Sequence, residues 1–313
     1  MSSATDGVPP RVEPALAAAA KPPRGSRRVR LAGSDDRPLI VRFFFGDRAA
    51  RWTSILTLVG LWQLAGTLGS RVPTPAKTFA FIGKEWGRTY MRQGEWSVIN
   101  NELVRNILES LRRAAVGLLI VLLLGVVLGY AMGRWWRIQA YLTDLMMVGL
   151  ALPAFIWALL AVMWFGFGFR APVFVVVVSC VPGLVVNVFQ GSIAIPRELR
   201  DMSAAYGVPF RTQFRNLVLP AISGYLLAGF RMSVLGGWGC VMLVEWFGNN
   251  QGAGYRARYW YDAQNFNGLM SWGIIILAIV IIVDRGILHR LEVAVNRWRG
   301  QVGGFSATGD KSR

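Results

Sequence analysis

Six apolar segments occupy most of the chain beyond residue 50, and each has about the length that crosses a lipid bilayer. A membrane-spanning helix needs about 20 predominantly apolar residues. With 54% hydrophobic and 16% charged residues, the composition is that of a multi-spanning membrane protein rather than a soluble enzyme. We therefore predict an all-α integral membrane protein with about six transmembrane helices. The segments cover residues 52–69, 114–133, 142–165, 171–194, 219–246 and 269–289.

Except for Arg231 and Arg285, the basic residues lie outside these segments, which argues against nucleic-acid binding as the reason for the net charge of +17. Most Lys and Arg residues fall on the loops of one side, and basic residues in short loops resist translocation. This distribution predicts that both termini are cytoplasmic.

Three regions follow from the composition. Residues 1–48 are rich in Pro, Ala, Arg and Gly and predict a flexible, basic cytoplasmic tail, residues 49–298 hold the transmembrane part, and residues 299–313 form a cytoplasmic C-terminal tail. Cys180 and Cys240 fall inside predicted spans without CxxC spacing, so we expect neither a disulfide nor a metal site.

A polar stretch, ELRDMSAAYGVPFRTQFRNLVLP, interrupts the apolar pattern at residues 198–220, which we call the elbow. It predicts two short helices, Glu198–Tyr206 and Phe210–Val218, with Pro209 in the first turn of the second. Gly207 lies between them, where a glycine permits a sharp turn with positive φ. The alternative is an ordinary cytoplasmic loop with a solvated amphipathic face.

The elbow resembles the EAA loop of bacterial ABC importer permeases, EAAxxxG, nine residues, then IxLP. Asp201, Met202 and Ser203 occupy the EAA positions, with Asp replacing Glu and with Met and Ser replacing the alanines. Val72–Trp86, VPTPAKTFAFIGKEW, is similar to an LPSP-like phrase of the nitrate, taurine and aliphatic sulfonate permeases. The resemblance implies that the elbow contacts a separate ATPase through Asp201, Met202, Ser203, Ala204, Gly207, Val208, Pro209, Arg211, Leu219 and Pro220.

The same resemblance implies the fold of a type I ABC importer, as in the methionine importer, in a bacterial inner membrane. It also implies a second permease subunit, identical or paralogous, two ABC ATPase subunits and a periplasmic binding protein that delivers a small solute. The solute expected is an anion such as a sulfonate, taurine or nitrate. No GxxxxGK[ST] phrase occurs, so we expect ATP and Mg on the partner ATPase and no enzymatic activity or cofactor in this chain.

Arg231 lies about 16 Å along a helix from Pro220, near the middle of the membrane. A charge at this depth is costly unless it faces a cavity or a partner. Arg231 therefore either attracts an anion in a translocation path or clamps two spans together.

Other polar and aromatic residues of the spans could line such a path. Asn187 and Gln190 share a helical face beyond a predicted break at Pro182-Gly183, although polar residues also hold helices together. Trp157 could narrow the pore or only pack. Glu245 ends the fifth segment and precedes Gly252, Gly254 and Tyr255, which resemble a GxGY phrase of such permeases.

Ahead of the second segment, residues 101–113 predict a partly polar helix. Its wet face would hold Glu102, Arg105, Glu109, Arg112 and Arg113.

An ion-gradient-driven secondary transporter is the alternative function. It predicts paired intramembrane carboxylates and inverted repeats, and the sequence displays neither. A membrane enzyme would show a catalytic cluster, whereas the chain has one His and no HExxH grouping.

Overall fold

The computed structural model describes residues 47–69, 71–93 and 101–293, and these ranges contain helices and turns but no strand. The all-α prediction is confirmed. The C-terminal tail predicted for residues 299–313 lies outside the described residues, as does the N-terminal tail up to residue 46. The chain divides into two compact units, Met1–Gly60 and Leu61–Arg313. The described part of the first unit is the start of helix α1, and all later helices belong to the second.

Within the described residues, six helices precede the elbow. They are α1 (Asp47–Leu68), α2 (Pro75–Gln93), α3 (Glu102–Arg134), α4 (Trp136–Ala151), α5 (Ala154–Phe165) and α6 (Arg170–Ile193).

The elbow itself begins with α7, and longer helices follow it. They are α7 (Arg197–Ala205), α8 (Phe210–Gln213), α9 (Leu219–Gly248), α10 (Ala253–Asp262) and α11 (Phe266–Val283), with π-helical turns at Phe214–Val218 and Asp284–Leu288.

In the part of the chain that the structure describes, four helices are long and apolar enough to cross a membrane: Glu102–Arg134, Arg170–Ile193, Phe210–Gly248 and Phe266–Val293. A fifth span results if α4 and α5 count together, although they meet at 93°. The third predicted segment, residues 142–165, is therefore not one continuous helix. Pro153 explains the bend, because a proline forces the residue before it, here Leu152 with ψ 122°, out of the helical region. The first predicted segment forms a shorter apolar helix, Trp52–Leu68.

One other proline behaves differently from the prediction, and Pro220 does not interrupt its helix either. Pro182 does not break α6, which continues through it, and its ring packs so closely on α4 that a Cβ at Gly149 would lie 2.6 Å from it. Pro220 does not separate the second elbow helix from the fifth span either. A π-helical turn, in which the Leu219 amide donates to the Phe214 carbonyl, joins α8 to α9 just ahead of the proline that lacks an amide hydrogen.

The core lies where α6 packs between α3 and α9. Glycines on α3 make this contact close: a Cβ at Gly117 would lie 2.8 Å from Val176, and one at Gly125 would lie 2.5 Å from Leu184. In a membrane, helix association depends on such close packing because lipid is as apolar as the side chains. These three spans thus form one packed frame that carries the elbow at one end.

Candidate functional site

The turn of the elbow is a Schellman motif centred on Gly207. Gly207 has φ 61°, as the sequence predicted. Its amide donates to the Ala204 carbonyl at 3.0 Å, and the Val208 amide donates to the Ser203 carbonyl at 3.1 Å. These two bonds satisfy carbonyls that the end of α7 would otherwise leave unpaired. The turn is therefore fixed by hydrogen bonds and by a backbone conformation that most other residues resist.

An apolar stripe runs along the exposed face of α7. Leu199, Met202 and Tyr206 have a spacing that places them on one side of a helix, and they are 40%, 54% and 80% exposed. Phe210, which begins α8, is 61% exposed and continues the apolar surface. Exposed apolar patches of this kind occur at contacts with a protein partner or a membrane.

An aromatic anchor attaches the second half of the elbow to α3. The rings of Tyr130 and Phe214 meet edge to face at 5.4 Å between centroids, and Tyr130 also lies 6.2 Å from Phe210. On the other side of the turn, the Arg200 guanidinium donates to the Ser192 carbonyl at the end of α6. The elbow is thus connected to two spans besides the one it enters.

The ten elbow residues predicted for ATPase contact lie together around this turn. Most of them are exposed, Val208 is half-buried, and Ser203 is buried. Pro209 is the N-cap residue of α8 rather than its first residue. The exposed members are Asp201, Met202, Ala204, Gly207, Pro209, Arg211, Leu219 and Pro220.

Arg231 is held by the last span. Its guanidinium donates Nε and Nη2 to the two oxygens of Asp284 at 2.8 and 2.9 Å, and Nη1 lies 3.5 Å from Glu292. We call these three residues the ion triad. Of the two roles that the sequence left open, this geometry is that of a clamp between two spans.

The remaining predicted path residues are dispersed. Asn187 is half-buried, donates to the Gly183 carbonyl of its own helix and packs against Gly229 of α9, whereas Gln190 is exposed. Trp157 packs on Phe174 edge to face at 6.3 Å. The structure does not bring these side chains together with Arg231.

Glu245 belongs to a buried carboxylate network at the opposite end of the molecule from the elbow. It is fully buried, and its carboxylate accepts from Arg113 Nη1 at 2.6 Å and from Ser110 Oγ at 2.8 and 2.9 Å. It also accepts from the Gly254 amide at 3.0 Å, at the start of α10. The wet face predicted for residues 101–113 is therefore wrong at Arg113, which is 4% exposed because its charge is paired with Glu245.

A second buried cation was not predicted. Arg256 of α10 pairs with Glu85 at 3.1 Å and with Glu102 at 3.0 Å, and its guanidinium lies over the rings of Tyr259 and Trp260. It connects α10 with α2 and α3. The sequence signal was an Arg in an aromatic segment, and its partners lie too far away in the chain to be identified from spacing.

Neither Cys180 nor Cys240 forms a disulfide; both are buried. Among the described residues, no group of three or more His, Cys, Asp or Glu side chains has the geometry of a metal site.

Residues 121–295 match the family model described as the binding-protein-dependent transport system inner membrane component. The chain belongs to this family. It is therefore a multi-pass membrane permease of the ABC importer type.

Named relatives agree with this assignment. The chain is 25% identical over 253 residues to a protein named in Bacillus subtilis as an aliphatic sulfonates transport permease, covering 79% of this chain and 86% of the relative. It is 27% identical over 192 residues to the nitrate import permease of Synechococcus elongatus, covering 61% and 68%. Among solved structures, an inward-facing MetNI methionine ABC transporter matches with a TM-score of 0.56 at 17% identity, over 62% of this chain and 96% of that chain. The fold is that of a type I importer permease, as the sequence predicted.

Proposed function

We propose that the elbow is the surface through which a separate ATP-hydrolysing subunit drives this permease. The observation that carries the proposal is the apolar stripe of Leu199, Met202 and Tyr206, exposed beside Asp201 on a turn that Gly207 fixes. An exposed stripe of this kind stabilises a complex when a partner buries it. ATP and Mg then bind to the partner.

Movement of the elbow reaches the spans through two connections. The π-helical turn at Phe214–Val218 makes α8 continuous with the fifth span. Tyr130 of α3 contacts Phe210 of α8 and Phe214 of the turn. A displacement of the elbow therefore moves α9 together with the elbow end of α3. In this account the permease alternates between two orientations as the ATPase subunits close and open.

The remaining parts of the assembly follow from the family. We propose a second permease subunit, identical or paralogous, and two ATPase subunits on the cytoplasmic side of a bacterial inner membrane. Both termini of this chain lie on the same side as the ATPase subunits. A periplasmic binding protein acts on the opposite face. The solute is small and polar, and the named relatives support a sulfonate or nitrate-like class. Because the charge of Arg231 is paired with Asp284, the support for an anion comes from the relatives and not from a free cation in the spans.

Co-purification of the tagged permease with its ATPase subunit tests the elbow. Asp201→Lys reverses an exposed charge on the elbow and should release the ATPase. Asp262→Lys reverses an exposed charge at the other end of the molecule and should retain it. Equal retention by both variants would contradict the elbow as the contact. A stable wild-type permease that recruits no ATPase would favour the ion-gradient-driven transporter instead.

A further inference from the structure

A cavity of about 660 Å³ opens beside the ion triad. The first turns of α9 form one wall, and the helical continuation of α11 forms the other. A volume in this range suits a small solute. Its walls include Tyr225, Ala228 and Arg231 from α9, with Leu288 and Glu292 opposite.

The ion triad carries one negative charge in excess, because two carboxylates face one guanidinium. Asp284 takes two short hydrogen bonds from Arg231, whereas Glu292 receives a single longer contact of 3.5 Å. The side chain of Glu292 is 45% exposed and lines the cavity. Arg231 and Glu292 are the charged side chains in the described lining, and the stronger bonds of Arg231 go to Asp284. Arg231 therefore compensates the negative charge of Glu292 less than it compensates that of Asp284.

The position of Arg231 within a candidate span argues that this face does not contact lipid. Arg231 lies about 16 Å along the helix from Pro220, within a candidate span, and its side chain is 45% exposed in the single chain. Ionised groups inside a membrane face the interior of an assembly or a water-filled cavity. In the permease function proposed above, on which this step rests, the face borders the path of the solute.

We propose that this cavity is a solute subsite that selects a positively charged nitrogen, with Glu292 as its specificity-determining residue. An ammonium or protonated amine on the solute forms a charge-assisted hydrogen bond with the Glu292 carboxylate. A bare inorganic anion brings only negative charge and is repelled. The subsite therefore admits cationic or zwitterionic solutes, including amine-bearing sulfonates, and disfavours nitrate-like ones.

Thiol labelling measures the charge preference of the cavity without knowledge of the natural solute. Ala228→Cys places a thiol in the cavity wall, and both native cysteines are buried, which keeps the background low. The purified full-length permease in lipid is treated with a cationic reagent, 2-(trimethylammonio)ethyl methanethiosulfonate, or an anionic one, 2-sulfonatoethyl methanethiosulfonate. Each rate is divided by that of the same reagent with free cysteine.

We expect the cationic reagent to react roughly tenfold faster than the anionic one. Glu292→Gln in the same background should reduce this ratio to about one, because the amide keeps the shape and removes the excess charge. Glu198→Gln, which removes an exposed carboxylate from the elbow, should leave the ratio unchanged.

Three results would overturn the proposal. The first is equal labelling rates for the two reagents, and the second is a preference for the cationic reagent that survives Glu292→Gln. The third is failure of both reagents to react, which would mean that a second copy of the chain fills the cavity. Labelling does not require ATPase recruitment, so it fails independently of the co-purification above. Elution volume in detergent confirms that each variant is folded.

Discussion

Gly207→Val should weaken ATPase binding far more than Gly207→Asn, although the two side chains are similar in size. No atom lies within 4 Å of a Cβ built at Gly207, so neither variant causes a steric clash. The difference comes from the backbone, which has φ 61°. Asn tolerates this left-handed conformation, whereas a β-branched residue there is a genuine outlier.

The magnitude follows from the turn itself. A left-handed conformation costs about 1–2 kcal/mol for an ordinary residue and somewhat more when it is β-branched. If the turn opens instead, the bonds from the Gly207 and Val208 amides are lost, at about 1 kcal/mol each. In the free Val variant the turn opens to relieve this strain, and binding must restore it at a cost of about 2 kcal/mol, which corresponds to a dissociation constant about 30-fold higher. Asn should cost less than about 1 kcal/mol, or under about fivefold.

Titration of the purified permease in lipid nanodiscs with its ATPase measures both dissociation constants. The thermal unfolding of the spans serves as the control and should be unchanged in both variants. Equal affinities for Val and Asn would refute the requirement for a left-handed turn. A loss of affinity accompanied by an equal loss of thermal stability would refute the assignment of the effect to the elbow.

Three further substitutions, and Gly273→Ala as a control, test the packing, the buried network and one helix end by thermal unfolding in detergent. Gly125→Ala should destabilise the spans by about 1–3 kcal/mol, because its Cβ would lie 2.5 Å from a buried leucine. Gly273→Ala, whose Cβ would have nothing within 4 Å, should be neutral or slightly stabilising. Equal effects of the two substitutions would contradict the packing of α3 on α6. Glu245→Gln should cost about 3–5 kcal/mol by leaving the Arg113 charge buried without its partner, and a neutral result would contradict the carboxylate network. Gln264 follows the end of α10 and has φ 53°, a left-handed conformation that glycine adopts without strain. Gln264→Gly should therefore stabilise the protein by about 0.5–1 kcal/mol. Destabilisation would show that the Gln264 side chain is needed.

The local features of the elbow could be predicted from the sequence. A glycine flanked by two amphipathic stretches indicates a turn with positive φ, and the structure confirms this at Gly207. The apolar spacing of Leu199, Met202 and Tyr206 was also present in the sequence. The EAA pattern covers Asp201 and its neighbours but includes neither Leu199 nor Tyr206.

Features that depend on distant residues could not be predicted. The local sequence places Arg113 on a solvent-exposed helical face. In the structure Arg113 is buried and pairs with Glu245, which lies far away in sequence. Pro182 looked like a helix break, but its ring packs on α4, whose position no local pattern specifies. The pairing of Arg231 with Asp284 likewise depends on how α9 and α11 meet.

Site-directed crosslinking from the apolar stripe tests the central claim most directly. Tyr206→Cys, at the most exposed position of the stripe, should form a crosslink to the ATPase subunit in the assembled complex, with a rate that changes when ATP is added. Tyr261→Cys, 52% exposed at the opposite end of the molecule, should form none. A complex that contains the ATPase but crosslinks to it from Tyr261→Cys and not from Tyr206→Cys would contradict the elbow as the coupling surface.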